Sequence, residues 1–195
     1  DPIVSTVPYT LGTKSDADKY VARMNLYGVK AMLARAYQAK GDNVKAVAYA
    51  KEVIESGKFR LLEFASVDQT EALTDVLFSD EHIFSLRNKE LKDYSEKLHR
   101  DEKKDGATSF KPLPFGSYYN WYEGNNDDVR YSKWFNLGDF MKYYMDNTDA
   151  FFRKMPMIKL SEMYLIVAEC SFDTDSEMSL EYLNVLRDHR IRNHV

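Results

Sequence analysis

The stretch MNLYGVKAMLARAYQAKGDNVKAVAYAKEVIESGKF, residues 24–59, decides the fold. A small-residue-rich apolar helix runs into a short polar turn and then into a second amphipathic helix. A second stretch, MPMIKLSEMYLIVAECSFDTDSEMSLEYLNVLRDHR at residues 155–190, reads as the same pattern used again. Shifted by 133 residues, Leu33, Val47 and Val53 fall on Ile166, Leu180 and Leu186. Helix pairs of this kind cannot bury their apolar faces alone, so they stack side by side. The spacing of Leu33-Ala34, Tyr37, Gly41, Ala46 and Ala50 fits the tetratricopeptide pattern, in which small residues let two helices approach closely. The expected architecture is all-α, with tetratricopeptide-like helix pairs in an α/α superhelix and a loop-rich insertion between them. A chain built this way is usually a binding scaffold.

Local signals set the expected boundaries. The first helix is expected to start at a Ser15 or Asp16 cap and to run to about Ala39. Tyr20, Met24, Tyr27, Ala31 and Ala34 form one stripe on it, and Leu26, Val29, Leu33 and Tyr37 a second, which predicts burial over a wide face. Gly41-Asp42-Asn43 breaks this helix, and Asp42 or Asn43 can cap the next. In that helix Ala46, Val47, Ala50, Val53 and Ile54 line one face, and Gly57 is placed to terminate it. Thr174 with Glu177 reads as a capping box for the last helix. The organisation is one domain over 1–195, with a first helix pair at 15–60, a loop-rich region at 61–155 and a second pair at 156–195.

Bulk properties narrow the function. With 195 residues the chain can bury a core. Apolar residues make up 44% and charged residues 30%, ordinary for a soluble globular protein. A net charge of −4 gives no electrostatic reason to expect nucleic acid. No apolar run is long enough to span a membrane, and residues 1–20 carry no signal-peptide core. The opening Asp1-Pro2 and the close on RDHRIRNHV read as a fragment, or as a protein trimmed of its targeting segment. The single cysteine, Cys170, allows no internal disulfide, and in YLIVAEC it is expected to be buried and inert. His82, His99, His189 and His194 show no metal-ligand spacing, so no metal site and no cofactor is expected. EGNNDDVR and FDTDSE are rich in oxygen ligands but lack the spacing of a calcium loop. No glycine-rich phosphate loop or GxSxG element is present. No acidic pair stands out as a two-carboxylate catalytic set.

The region between the helix pairs is different. Thr70 to Leu77 reads as a short helix, and HIFSL at 82–86 as a short buried extended segment. RNKELKDYSEKLHRDEKKDG at 87–106 is a solvated charged stretch. FKPLPFGSYYNWYEGNNDDVRYSKWF at 110–135 interleaves aromatics with Pro, Gly, Asn and Asp, which is loop chemistry. So long an insertion is where function is expected to sit.

These stretches, taken in order, resemble the SusD/RagB family of outer-membrane glycan-binding lipoproteins. Arg23-Met24-Asn25 followed by AMLARAYQAKGD and AVAYAKEVIESGKF resembles the family's first helix pair. DEHIFSL resembles its E-I-I-F-S segment, Asp128-Val129-Arg130 its D-x-R motif, and Lys142-Tyr143 its K-Y pair. PMIKLSEMYLIVAEC and YLNVLRDHR resemble its last two conserved helices. Lys159 stands where the family usually has Arg, Ser161 where it has Ala, and Ile191 where it often has Gly. The resemblance implies a non-enzymatic protein that holds an oligosaccharide or polysaccharide at the cell surface and passes it to a SusC-like TonB-dependent porin. Membrane attachment would come only through an N-terminal lipid anchor outside this sequence. The D-x-R pair Asp128 and Arg130 is expected to fix a loop, and Glu162 and Glu169 to anchor their helix.

The resemblance supplies no binding residues, so these follow from chemistry. Sugar C–H faces stack on aromatic rings, and sugar hydroxyls bond amides, carboxylates and Arg; a ring brings large area at low side-chain entropy cost. The richest cluster is Tyr118, Tyr119, Asn120, Trp121 and Tyr122, then Asn125, Asn126, Asp127 and Arg130, then Trp134. Trp121 and Tyr122 rank first as glycan contacts, followed by Trp134 and Tyr119. The alternative is that these aromatics pack a satellite core under the loop. For the whole chain, the alternative is a tetratricopeptide-like protein-interaction scaffold that binds no sugar.

Overall fold

A computed structural model describes residues 24–68, 75–88, 90–91, 93–95, 122, 127–136, 139–140, 142–143 and 154–193. The chain divides into two compact units. The first comprises Asp1–Leu62, Phe78–Leu86 and Pro156–Arg187, and the second Glu63–Leu77, Arg87–Met155 and Asp188–Val195.

The first unit holds the helix pairs. Helix α1 (Leu26–Lys40) starts at Asn25, whose extended backbone and side-chain oxygen, bonded to the Gly28 N–H at 2.9 Å, make it the cap. The expected continuous helix from residue 15 is therefore corrected: α1 begins after Asn25, whose backbone is extended, and Ser15, Asp16 and Tyr20 lie outside the described residues. The same Asn25 donates from Nδ2 to the Ile83 carbonyl at 3.2 Å, fixing the start of the helix to the extended segment that follows. The helix stops where Gly41 turns left-handed at φ 79°, with the Gly41 N–H bonded to Gln38 O and the Asp42 N–H to Tyr37 O. Asp42 then caps α2 (Asn43–Ile54) by accepting from the Lys45 N–H. Gly57, at φ 63°, follows the end of α2. The glycine stops read from the sequence thus hold at both ends.

Helix α2 packs against both α1 and α5 (Leu160–Ser171). Ala31, Ala34, Ala46 and Ala50 are fully buried at these contacts. Val53, Met163, Ile166 and Val167 fill the same core, with Leu186 from α6 (Ser176–Asp188). Ser179 Oγ donates to the Ala168 carbonyl at 2.6 Å, drawing α6 onto α5. Methyl groups where larger side chains would separate the helices make the packing intolerant of added volume. Ala50→Leu is expected to cost about 1–3 kcal/mol by overpacking, read as a lower urea midpoint at unchanged slope.

Three details depart from the sequence reading. Leu26 and Val29 are 42% and 46% exposed, so α1 is buried on one side rather than two. Leu180 is exposed whereas Val53 and Leu186 are both buried, so the two pairs correspond only in part. The cap of α6 is Asp175, which accepts from the Met178 N–H at 3.0 Å, while the Thr174 hydroxyl turns back to Ser171 O.

A 3₁₀ turn at Ser79–Glu81 leads into β1 (His82–Arg87), which pairs with β4 (Lys154–Lys159) in a two-stranded sheet. The extended segment expected at 82–86 is present, with His82, Ile83 and Ser85 buried and Leu86 exposed. Glu81 has no exposed surface. Its carboxylate accepts from the Leu62 N–H at 3.0 Å and pairs with Lys159 Nζ at 3.3 Å. Lys159 also lies over the Phe78 ring at 4.7 Å. On the outside of the unit, Arg35 grips Glu162 through Nε and Nη2 at 2.6 and 2.7 Å and donates to Met157 O. Gln38 bonds Glu169 at 2.8 Å. Both glutamates anchor α5, as expected.

Cys170 is buried, and desolvation pushes its thiol above the ordinary range, with the neighbouring Glu169 adding to the effect. The thiolate is the reactive form. The raised value means less thiolate at mildly alkaline pH, so iodoacetamide at pH 8 is expected to spare Cys170 in the folded protein and to label it in urea. Equal labelling rates in the two states would contradict the burial.

The second unit contains α3 (Phe64–Val67), α4 (Val129–Trp134) and an antiparallel hairpin of β2 (Phe135–Asn136) and β3 (Asp139–Phe140). Asp75–Leu77 is not helical, with Val76–Leu77 in a turn, where the helix was expected to end at Leu77, while residues 70–74 lie outside the described residues. Arg192 holds the α3 end of this unit through a bidentate pair with Asp68 and a position over the Phe64 ring at 4.7 Å.

Candidate functional site

The aromatic-rich region is built around α4. Asp128 is buried and caps the helix, accepting from the Arg130 N–H at 2.8 Å. The same carboxylate takes Arg130 Nε at 3.0 Å and Nη2 at 2.6 Å, so one acid fixes both the helix start and the guanidinium. This is the loop-fixing ion pair expected of the D-x-R motif. The backbone at 127–129 is stitched to 190–192 through an Asp128–Ile191 bridge, Val129 N–H to Arg190 O and Arg192 N–H to Asp127 O. The departure to Ile191 thus falls at the residue that pairs with the motif.

From this base a chain of rings extends. Tyr122 lies 6.0 Å from Tyr131 and 6.1 Å from Phe135, centroid to centroid. Phe135 and Phe140, directly opposed across the hairpin, are 5.5 Å apart, and Phe140 meets Tyr143 edge-on at 6.3 Å. Arg130 sits over the Tyr122 ring at 5.2 Å. Trp134 donates its indole N–H to the Val76 carbonyl at 2.8 Å and packs with Tyr143 against Val76 and Leu77. Lys142 Nζ stands 4.1 Å from the Trp134 ring centre and 5.4 Å from that of Tyr143. The described rings are half-buried, a state between a packed core and an open platform. Burial raises the Tyr122 and Tyr143 phenols above their ordinary value, so both stay neutral and keep their hydroxyl donors.

Among the sequence-predicted site residues, Tyr122, Arg130 and Trp134 fall in this ring chain, and Asp127 is exposed beside it. Tyr118, Tyr119, Asn120, Trp121, Asn125 and Asn126 lie outside the described residues. Sequence reasoning passed over Tyr131, Phe135, Phe140, Lys142 and Tyr143 as contact residues. The turn signal Asn136-Leu137-Gly138-Asp139 between two aromatics could have found the Phe135–Phe140 pair. Among the described residues no group of His, Cys, Asp and Glu is placed to hold a metal. No described helix is long and apolar enough to cross a membrane.

No family model matches the sequence, and no curated protein does. Solved structures do. A SusD superfamily protein from Bacteroides thetaiotaomicron VPI-5482 aligns over 87% of this chain and 42% of its own, at 20% identity and a TM-score of 0.61. A Bacteroides vulgatus ATCC 8482 protein assigned to sugar binding aligns over 89% and 41%, at 19% identity and a TM-score of 0.65. A SusD superfamily protein from the same organism aligns over 87% and 41%, at 23% identity and a TM-score of 0.57. The chain spans about two-fifths of the length of these structures. With stacked helix pairs, a D-x-R anchor and this extent of structural agreement, the chain has the fold of the SusD-like proteins.

Proposed function

We propose that the protein is a non-enzymatic cell-surface glycan-binding module that captures oligosaccharides for import with a SusC-like TonB-dependent porin. The observation that carries the reading is the half-buried ring chain from Tyr122 to Tyr143, set on a SusD-like fold and flanked by Arg130. Such rings offer C–H stacking area, and the neutral phenols and the guanidinium offer donors to sugar hydroxyls. Trp121 and Tyr122 remain the first-ranked contacts, with Tyr118, Tyr119, Asn120, Asn125, Asn126, Asp127, Arg130 and Trp134 around them. The surface location would come from a lipid anchor on a longer protein. The sugar-binding assignment of one structural neighbour points the same way.

Tryptophan fluorescence tests this directly. Saccharide-dependent quenching that weakens in Trp121→Ala and Tyr122→Ala is the expected result. Unchanged fluorescence across neutral and acidic oligosaccharides would count against the site. The scaffold reading has one observation in its favour, the exposed Leu26, Val29 and Met32 along α1. It predicts a protein partner lost on Val29→Asp and no saccharide response.

A further inference from the structure

The ring chain stands on a helix too short to hold itself. α4 has six residues, and a helix of that length is unstable without tertiary support. Both of its ends are tied back to α3. At the start, the backbone of 127–129 is bonded to 190–192. From there the Arg192 side chain runs on to α3, where both Nη atoms donate to the Asp68 carboxylate and the guanidinium stands 4.7 Å from the Phe64 ring centre. At the other end, Trp134 donates to the Val76 carbonyl, and the adjacent Asp75 N–H donates to Ser66 O in α3 at 3.2 Å. The contacts form a closed circuit, from α3 through 190–192 to α4, then through 75–76 back to α3.

Arg192 is the joint of this circuit. Its backbone N–H holds the Asp127 carbonyl at 3.1 Å, one residue before the buried Asp128 that clamps Arg130 over Tyr122. Its guanidinium holds α3. The backbone bonds fix 190–192 to α4, and the Arg192 side chain fixes 190–192 to α3. One side chain, remote in sequence from the aromatic region, therefore joins the base of the unit to the start of the site.

Resting on the glycan-binding reading, we infer that Arg192 is a positioning residue of the glycan site. It acts through Asp127 and Asp128 rather than on the sugar, and it sets how firmly Arg130 and Tyr122 are held before a sugar arrives. A site ordered in advance loses less freedom on binding, so releasing the joint weakens affinity by raising the cost of ordering.

The test is calorimetry on the intact chain with malto-oligosaccharides, xylo-oligosaccharides and oligogalacturonates, continued with whichever binds most tightly. Arg192→Ala is expected to bind that sugar about tenfold more weakly at unchanged stoichiometry, within the range by which residues outside a site alter its affinity. The pair with Asp68 is partly exposed, and such pairs contribute little to stability, so the variant is expected to fold. Arg192→Lys keeps a cation for Asp68 and for the Phe64 ring and should retain most of the affinity. Raising the salt concentration screens the pair, so the gap between the unmodified chain and Arg192→Ala should narrow, which loss of packing alone would not produce. Arg60→Ala is the control. It removes a partly exposed pair, Arg60 with Asp80 at 2.8 Å, in the other unit, and should leave affinity unchanged. Arg192→Ala binding as tightly as the unmodified chain, or an equal loss in Arg60→Ala, would overturn the positioning role and leave the glycan-binding reading standing. Absence of binding to every sugar by the unmodified chain would overturn both.

Discussion

Glu81→Ala is expected to lower stability by about 3–5 kcal/mol, the range for removing one partner of a buried ion pair. The glutamate has no exposed surface, accepts from the Leu62 N–H and pairs with Lys159 Nζ. Truncation takes a carboxylate away from an ammonium whose side chain is only 17% exposed and opens a cavity beside it. The turn that carries Glu81 depends on its contacts. Phe78 precedes it at φ 57°, a left-handed conformation costly for a bulky residue, and Lys159 lies over that same ring. Losing Glu81 therefore loosens Lys159 and the support of a strained turn together. Glu81→Gln keeps an oxygen for Leu62 but not the charge, so it should fall between wild type and Glu81→Ala. Adding Lys159→Met to Glu81→Ala should recover part of the loss, because the charge left behind is then gone. Urea denaturation of the four proteins checks the order. A loss under about 1 kcal/mol for Glu81→Ala would place the pair in the weak class of exposed ion pairs.

Asp128→Ala is the second large effect and the one closest to function. The buried carboxylate caps α4 and clamps Arg130 through three hydrogen bonds. A lost cap costs about 0.5–2 kcal/mol, and the released guanidinium adds to it, for a total of about 2–3 kcal/mol. Asp128→Asn retains cap chemistry and should cost about 1 kcal/mol. The functional consequence is separate. Without the clamp, Arg130 is no longer held over Tyr122, so saccharide affinity should fall in Asp128→Ala even well below its melting temperature. Full binding at reduced stability would show that the motif supports the fold only.

The helix pairs were legible because their signals are local. Periodicity placed the cores of α1, α2, α5 and α6, Gly41 and Gly57 marked the stops, and small residues at Ala31, Ala34, Ala46 and Ala50 foretold close packing. What failed was finer. Asn25 was read as mid-helix because an Asn among apolar residues does not break a 3.6-residue period, and its second bond, to the Ile83 carbonyl, comes from 58 residues away. The exposure of Leu26, Val29 and Leu180 depends on which neighbours cover them, and a single helix does not contain that information. Asp175 competed with Thr174 for the same cap, one residue apart.

The site was half legible. Asp128 with Arg130 could be read as a pair because the two residues lie within one turn. The richness in aromatics was visible, but its organisation was not. Trp134 is fixed by Val76, again 58 residues away, and the ring chain runs across a hairpin whose strands are two residues each. Strands that short leave almost no alternation to detect. The placement of Lys142 over Trp134 follows from tertiary packing alone.

The central claim is that this SusD-like chain holds a glycan on its aromatic loop region. Titrating the purified chain against a panel of neutral and acidic oligosaccharides by calorimetry, with Trp121→Ala and Tyr122→Ala alongside, tests it most directly. The account predicts saturable binding of at least one oligosaccharide that is lost or weakened in those variants. Binding that persists unchanged in both variants would move the site elsewhere, and absence of binding across the whole panel would contradict the account.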